Sequence, residues 1–288
     1  MVLDGVRDSA RNDAVFRPKR VGVLGGGQLG RMLLAPAARL GLEMHVLDPD
    51  PNCPCAGYVG HAVQGDFRDH DAVVAFGQGL DVITIEIEDV SVSGLEALAA
   101  QGVRVHPSPS IIAEIQDKGL QKQLFARLEI PTAPFALVDD AQSTLAVATD
   151  ERGFVQKLRR GGYDGKGVKV CDAGTAAEAL FDAPCVVESR IDIEKELAVI
   201  VARTAEGEIS CFPPVEMVFD PELNLVDFLL APARVDASVI ADAEAYAHKI
   251  ATELELVGLL AIELFLARDG ELLVNEMAPR PHNSGHHT

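Results

Sequence analysis

Two glutamates near the end of the sequence carry the first chemical signal. In the run Ala261 to Glu276 (AIELFLARDGELLVNE), Asp269-Gly270 lies between two apolar stretches, the signature of a two-residue β-hairpin turn. Counting outward from that turn sets Arg268 opposite Glu271, Ala267 opposite Leu272, Phe265 opposite Val274 and Glu263 opposite Glu276. Like charges directly opposite on paired strands destabilise a sheet, and an apolar setting raises the penalty. A divalent cation between the carboxylates removes the conflict. Paired carboxylates together with phosphate oxygens and water are the usual surroundings of Mg²⁺. The spacing therefore predicts a metal site at Glu263 and Glu276.

Two glycine-rich stretches point to anion binding. The first is Gly25-Gly26-Gly27-Gln28-Leu29-Gly30, between a strand and a helix, with Asp48 ending the next strand. That arrangement matches a dinucleotide fingerprint, but the motif alone is weak. The preferred reading is a helix N-terminus that holds an anionic substrate. The second is Lys157-Leu158-Arg159-Arg160 followed by Gly161, Gly162, Tyr163, Asp164, Gly165, Lys166 and Gly167. Strands lead into and out of it, so it reads as a glycine-rich hairpin and not as a Walker loop. Such a flap can close over phosphates with its backbone N–H groups, and Lys157 supplies a point charge. After the second glutamate comes Met277-Ala278-Pro279-Arg280-Pro281-His282-Asn283-Ser284-Gly285-His286-His287. Loops this rich in Arg, His, Asn and Ser usually carry function, and Arg280 suits a carboxylate or phosphate. A zinc site at His282, His286 and His287 lacks a further ligand at metal spacing.

Elements must bring these groups together. After residues 1–18, read as a disordered leader, short apolar strands alternate with helices. The strands are expected at Val21–Leu24, Met44–Leu47, Val82–Glu86 and Val103–Val105, and the helices at Gly30–Leu40, Asp69–Gly77 and Val92–Gln101. That alternation predicts a parallel α/β sheet ending near Pro107–Pro109. A helix over Ile111–Leu128, a smaller α+β segment over about 135–190, longer strands, a helix over Val239–Leu254 and the terminal hairpin follow. The fold class is thus α/β plus α+β.

Composition narrows the partners. The 288 residues carry 25 basic and 44 acidic side chains, a net charge of −19, which argues against a nucleic-acid-binding surface. Acidity of this size favours solubility and is compatible with adaptation to high salt. Five cysteines, an odd number, argue against a disulfide framework and for a reducing compartment, with Cys53-Pro54-Cys55 a reduced pair. No apolar run of about 18 residues and no signal peptide is present, so neither a membrane nor export is expected. The protein is expected in the cytoplasm.

The glycine hairpin after a lysine, followed by paired glutamates on late strands, resembles the ATP-grasp superfamily. Within it, GGGQLGRM (Gly25–Met32), QDKGLQKQLF (Gln116–Phe125), GGYDGKG (Gly161–Gly167) and NEMAPRPHNSGHHT (Asn275–Thr288) resemble the N5-carboxyaminoimidazole ribonucleotide synthetases, ATP-dependent carboxylases of purine synthesis. The resemblance covers about residues 20–288 and implies an ATP-grasp fold behind a Rossmann-like pre-ATP-grasp domain. It divides the chain into 19–110 (Rossmann-like), 111–190 (linker helix and lid with the flap) and 191–288 (catalytic part). It also implies ATP, Mg²⁺, bicarbonate and 5-aminoimidazole ribonucleotide as ligands, and a homodimer. Lys118 and Lys157 would contact ATP phosphates, with Gly162 to Gly167 closing over them. Glu188, Ser189, Arg190 and Ile191 resemble the hinge that reads adenine through backbone groups, and Glu196 would hold the ribose hydroxyls. Glu263 and Glu276 would bind Mg²⁺ beside Asn275. Gln28, Leu29 and Glu86 would approach the ribonucleotide, while Arg280, His282 and Asn283 would line the bicarbonate side.

The sequence also departs from the family. Met217 and Phe219 stand where the family strand often has Asn and His, and Asp89 where Asn is usual. Family members continue beyond the HNSGH loop into a basic C-terminal region, so the chain ending at Thr288 is expected to be a truncated form. Rival readings are a formate-dependent glycinamide ribonucleotide transformylase, an ATP-binding but inactive polypeptide, and a nicotinamide oxidoreductase built on Gly25–Gly30 and Asp48.

Overall fold

The computed structural model describes residues 17–162, 167–219 and 226–288. Most of the expected leader, residues 1–16, and the flap residues Tyr163, Asp164, Gly165 and Lys166 lie outside the described residues. The first part runs β1 (Arg20–Leu24), α1 (Gln28–Met32), α2 (Leu34–Arg39), β2 (Glu43–Asp48), β3 (His61–Gln64), α3 (His70–Gly77), β4 (Val82–Ile85), α4 (Val92–Ala100) and β5 (Arg104–Val105). Its five strands are all parallel, in the order β3-β2-β1-β4-β5. That is a doubly wound sheet in which the order reverses beside β1, and the loops after β1 and β4 open there.

Three expectations need correction in this region and the next. Strand β3 was not anticipated, because all four of its residues are exposed at the sheet edge and show no apolar alternation. The expected helix Gly30–Leu40 is two short helices that break at Leu33. Pro36 lacks an N–H, so it cannot continue the hydrogen-bond ladder across that point. The expected helix Ile111–Leu128 is likewise α5 (Pro109–Ile115) and α6 (Lys118–Arg127). Ser108 caps the first, and Asp117 caps the second by accepting from Gly119 and Leu120 N–H at 2.9 and 3.3 Å. An Asp at that position satisfies the free N–H groups of a new helix start, so the chain turns there.

The next segment holds β6 (Phe135–Val138), α7 (Ala141–Val147), β7 (Phe154–Leu158), β8 (Val168–Cys171) and β9 (Cys185–Ser189), with an antiparallel sheet in the order β6-β9-β7-β8. The last part holds β10 (Ile193–Arg203), β11 (Ile209–Cys211), β12 (Val215–Phe219), β13 (Val226–Leu230), α8 (Ala237–Glu253), β14 (Gly258–Ala267) and β15 (Leu272–Ala278). Its antiparallel sheet runs β13-β12-β10-β14-β15, with β11 on the far end of β10. The alternate residues Leu197, Val199 and Val201 of β10, with Leu260, Ile262 and Leu264 of β14, pack against Ala243, Ala247 and Ile250 of α8 and Leu124 and Phe125 of α6. One face of this sheet is therefore sealed by helices. The opposite face carries Glu196, Ala198 and Glu263, beside small apolar clusters around Ala198 and Ile200. No helix among the described residues is long and apolar enough to cross a membrane. All five cysteines are free thiols.

Candidate active site

The terminal hairpin does place Glu263 opposite Glu276, by a route that differs from the simple count. Its loop has three residues, not two: the Ala267 N–H donates to the Glu271 carbonyl, and Gly270 sits at φ +92°. Leu266 therefore faces Leu272, Phe265 faces Leu273 and Leu264 faces Val274. The expected pairs Arg268–Glu271, Ala267–Leu272 and Phe265–Val274 do not form. A bulge at Asn275 then adds one residue and restores Glu263 to Glu276. The two one-residue offsets cancel. The bulge leaves Asn275 outside the ladder, where its side-chain Oδ1 accepts from Lys157 Nζ at 2.8 Å.

Side-chain nitrogens from three elements gather on and beside these carboxylates. Lys118 Nζ, at the first turn of α6, donates to Glu276. His282 Nε2 lies 3.2 Å from Glu263 Oε1. His282 Nδ1 accepts the Ser284 N–H at 3.3 Å, so Nε2 is the ring nitrogen that carries the proton toward Glu263. Lys157, from β7, reaches Glu188 at 3.0 Å as well as Asn275. Glu188 is 3% exposed and also pairs with Lys122 at 3.2 Å.

The electrostatics follow from this crowding. Burial works against the charge on Glu276, but Lys118 and then Lys157 outweigh it and push its carboxyl down to about 2. Burial likewise disfavours the Glu188 charge, and Lys157 and Lys122 reverse that, holding it below the ordinary range. Glu196 makes no ion pair among the described residues: burial, and then the neighbouring Glu263 charge, outweigh Lys157 and push it up to about 7. Glu263 and Glu276, directly opposite on one sheet face, offer the oxygen donors that a hard divalent cation takes. Glu263 and Glu276 would hold it, and such an ion supplies charge neutralisation for phosphate oxygens.

Sequence reasoning missed the residues behind these groups. Asp117 binds Arg159 through two contacts of 2.8 Å and lies 3.4 Å from Arg160. It thus ties the base of the glycine hairpin to the start of α6 and fixes Lys118. The signal was readable, since an Asp beside a helix start next to a lysine is a capping pattern. Lys122, Thr132 and Glu88 gave no signal of their own. Glu88 takes Arg280 at 2.8 Å, so the Arg280 guanidinium faces the loop after β4.

Other expected residues lie nearer the edge. Ser189 is half-buried and Arg190 exposed at the end of β9, with Arg190 3.3 Å from Asp172. Ile191 is half-buried in the turn to β10, and Gly162 and Gly167 flank the flap. Gln28 and Asn283 are exposed, and Leu29 is half-buried. The expected anion site at the start of α1 meets a carboxylate of the chain itself. Glu86 accepts from Gly27 and Gly30 N–H, both at 3.3 Å, and Asp48 accepts from Gly26 N–H at 2.7 Å. Burial raises the Glu86 carboxyl despite these amides and Arg280. The ligating atoms that cluster among the described residues are those of Glu43, His45 and His61 on β2 and β3, not the histidines of the terminal loop. There the two rings stack at 4.3 Å with planes 6° apart.

Known proteins share this layout. The family model described as "Ribonucleotide synthetase preATP-grasp domain" matches residues 18–116, and "ATP-grasp domain" matches residues 123–288. The phosphoribosylaminoimidazole carboxylase of Vigna aconitifolia chloroplasts is 41% identical over 93% of this chain, which spans 48% of that protein. The N5-carboxyaminoimidazole ribonucleotide synthase of Brucella melitensis is 37% identical, over 93% of this chain and 75% of its own length. This chain belongs to the N5-carboxyaminoimidazole ribonucleotide synthase family of ATP-grasp ligases. An Aspergillus clavatus member of the family, solved with ADP and 5-aminoimidazole ribonucleotide, superposes with a TM-score of 0.83 at 33% identity, over 93% of this chain and 72% of that one. Family members therefore set their sheets as this chain does.

Proposed function

We propose that the chain carboxylates 5-aminoimidazole ribonucleotide to N5-carboxyaminoimidazole ribonucleotide, using ATP and bicarbonate. The observation that carries this reading is the Glu263–Glu276 pair on β14 and β15, flanked by Lys118, Lys157 and Asn275. Lys118 and Lys157 take the phosphates, and the strand end Glu188–Ile191 takes the adenine through its backbone. Glu196 takes the ribose hydroxyls. Arg280, His282 and Asn283, with Gln28, Leu29 and Glu86 across the cleft, take bicarbonate and ribonucleotide. Arg280 stands between the two groups, because it already pairs with Glu88 at 2.8 Å.

The chemistry needs no enzyme nucleophile. A bicarbonate oxygen attacks the γ-phosphorus, the bond to the β-phosphate oxygen breaks, and ADP leaves carboxyphosphate behind. The exocyclic amine then bonds to the carboxyl carbon, directly or after release as CO₂. Phosphate departs and the amine loses a proton. Lys118 and Lys157 offset charge that develops on the transferred phosphoryl group. The glycine flap excludes water, which would hydrolyse the intermediate. A homodimer in a reducing compartment belongs to the same reading, and sedimentation equilibrium tests its assembly.

The deciding experiment measures ADP release by residues 1–288 with Mg-ATP and bicarbonate, with and without 5-aminoimidazole ribonucleotide. Stimulation by the ribonucleotide is expected. ATP binding without stimulation would refute the carboxylase reading for this chain. Formate dependence with glycinamide ribonucleotide would replace it by the transformylase.

A further inference from the structure

Lys122 has no assigned role, yet it is among the most buried charges in the molecule, 3% exposed. A lysine is almost never that buried unless something pairs with it. Its Nζ donates to Thr132 Oγ1 at 2.6 Å, and Thr132 Oγ1 in turn donates to the Val274 carbonyl at 2.7 Å. The same Nζ lies 3.2 Å from Glu188 Oε1, while Lys157 Nζ lies 3.0 Å from Glu188 Oε2 and donates to Asn275 Oδ1 at 2.8 Å. Since Val274 precedes Asn275, these contacts close a polar ring through α6, β7, β9 and the bulge of β15.

The ring holds one carboxylate and two ammonium groups. Were Glu188 paired with Lys157 alone, the two charges would cancel, and an incoming phosphate would meet a neutral pair. With Lys122 present, one positive charge is left over. Lys122 is 3% exposed and anchored by Thr132, whereas Lys157 is 8% exposed, so the surplus is expressed at Lys157. We propose that Lys122 is a positioning residue for nucleotide binding, neutralising Glu188 so that the charge of Lys157 stays available to a phosphate. This rests on the proposed phosphate role of Lys157. Burial, opposed by Glu188 and reinforced by Lys157, pushes the Lys122 ammonium down to about 8. The charged groups facing it are Glu188 from β9, Lys157 from β7 and, farther off, Glu276 from β15.

The test is a charge cycle read by ADP binding in calorimetry. Lys122→Met keeps the stem and removes the charge, so ADP affinity should fall roughly 10- to 100-fold, the range of one charged hydrogen bond. Lys122→Met combined with Glu188→Gln removes the carboxylate as well, and affinity should return to within about threefold of wild type. Glu188→Gln alone leaves both ammonium charges uncompensated and should bind ADP more tightly than wild type, and it answers the question if Lys122→Met does not fold. Wild-type affinity should also decline as pH rises through 8, and the double variant should lose that limb. Unchanged affinity in Lys122→Met, or a double variant as weak as the single, would overturn the proposal. If wild type binds no ADP, the nucleotide reading fails on its own. The same cycle is then read with tripolyphosphate, which probes the free charge of Lys157 without the nucleoside.

Discussion

Both halves of this molecule contain a glycine-rich loop, and the two meet opposite electrostatic surroundings. At Gly25–Gly30 the backbone N–H groups are already taken by acids of the same chain, Asp48 on Gly26 and Glu86 on Gly27 and Gly30. A Cβ added at Gly27 would lie 2.6 Å from Glu86 Oε1, so the carboxylate fills the cradle that the glycine opens. At Gly161–Gly167 the flanking residues are amines and guanidinium groups: Lys157, Arg159 and Arg160, with Lys118 and Lys122 on the helix behind. Glycine gives a backbone room to approach an anion, but the charge nearby decides whether the anion comes from the chain or from a ligand. By that rule the proposed phosphate role falls to the second loop, while the amides of the first already hold acids of the chain. It also disposes of the nicotinamide reading, because Asp48 is occupied by Gly26 and by Asp50 N–H at 2.8 Å.

The sharpest break of this contrast is at Glu276. Glu276→Gln keeps the shape and removes the charge that holds Lys118 and would hold the cation. Steady-state ADP release should fall by about 100- to 1000-fold, the usual range for losing one electrostatic element of a reacting site. The far-UV circular dichroism should remain that of the wild type. Retained turnover would mean that the opposed glutamates are structural.

Lys157 ranks second. Lys157→Ala should weaken ATP binding by about 1–3 kcal/mol, the range of a hydrogen bond to a charged group. Calorimetry with a non-hydrolysable ATP analogue measures it, and unchanged affinity would remove the phosphate role. A Lys157→Arg variant should not restore full binding, since a planar guanidinium cannot replace a compact ammonium between Glu188 and Asn275.

How far the sequence disclosed this site depends on the kind of contact. Contacts set by local rules were legible. Asp269-Gly270 announced the hairpin, and alternation set Glu263 and Glu276 on one face, although a longer loop and the Asn275 bulge were both invisible. A bulge depends on what draws its residue out of the ladder, here Lys157 from another sheet, and no pattern within the strand records that. The parallel β1–β2–β4 core was legible from apolar runs, while β3, with no buried side chain, was not. Least legible were the long-range charges. Lys122 reads as an ordinary helix-surface lysine until β9 and β15 are placed against it. The Glu86 contacts to Gly27 and Gly30 are a second case, since nothing in the strand end records them.

The next effect is on stability, and it has two opposite signs. Glu276 is held down at about 2, so its stabilisation is present above its ordinary value of 4.5 and is lost as pH falls toward 2. Glu196 is held up at about 7, so it binds its proton more tightly when folded. Its contribution is present below 4.5 and is lost as pH rises through 7. At roughly 1.4 kcal/mol per unit, discounted because solvent still reaches it, this loss is about 1–2 kcal/mol. Urea unfolding should therefore show the wild type weakening between pH 5 and 8, and Glu196→Gln should flatten that slope. An unchanged slope would show that Glu196 titrates as a solvated acid.

The smallest effect on nucleotide binding is the one that separates the loops. Glu86→Ala frees the Gly27 and Gly30 N–H groups and empties the first loop of its internal anion. Losing the acceptor for buried donors should lower unfolding stability by about 1–3 kcal/mol. ADP affinity should change by less than about twofold, because Glu86 lies just after β4 in the N-terminal part and the proposed nucleotide contacts come from α6, β7 and β9. An ADP affinity that rose severalfold would show the freed amides catching a phosphate, and the contrast between the two loops would collapse. The added N–H groups could instead bind inorganic phosphate weakly, and a phosphate titration of Glu86→Ala against wild type distinguishes that case. Phosphate binding to the variant with unchanged ADP affinity would confirm that the first loop is an anion cradle which the chain keeps filled with its own carboxylate.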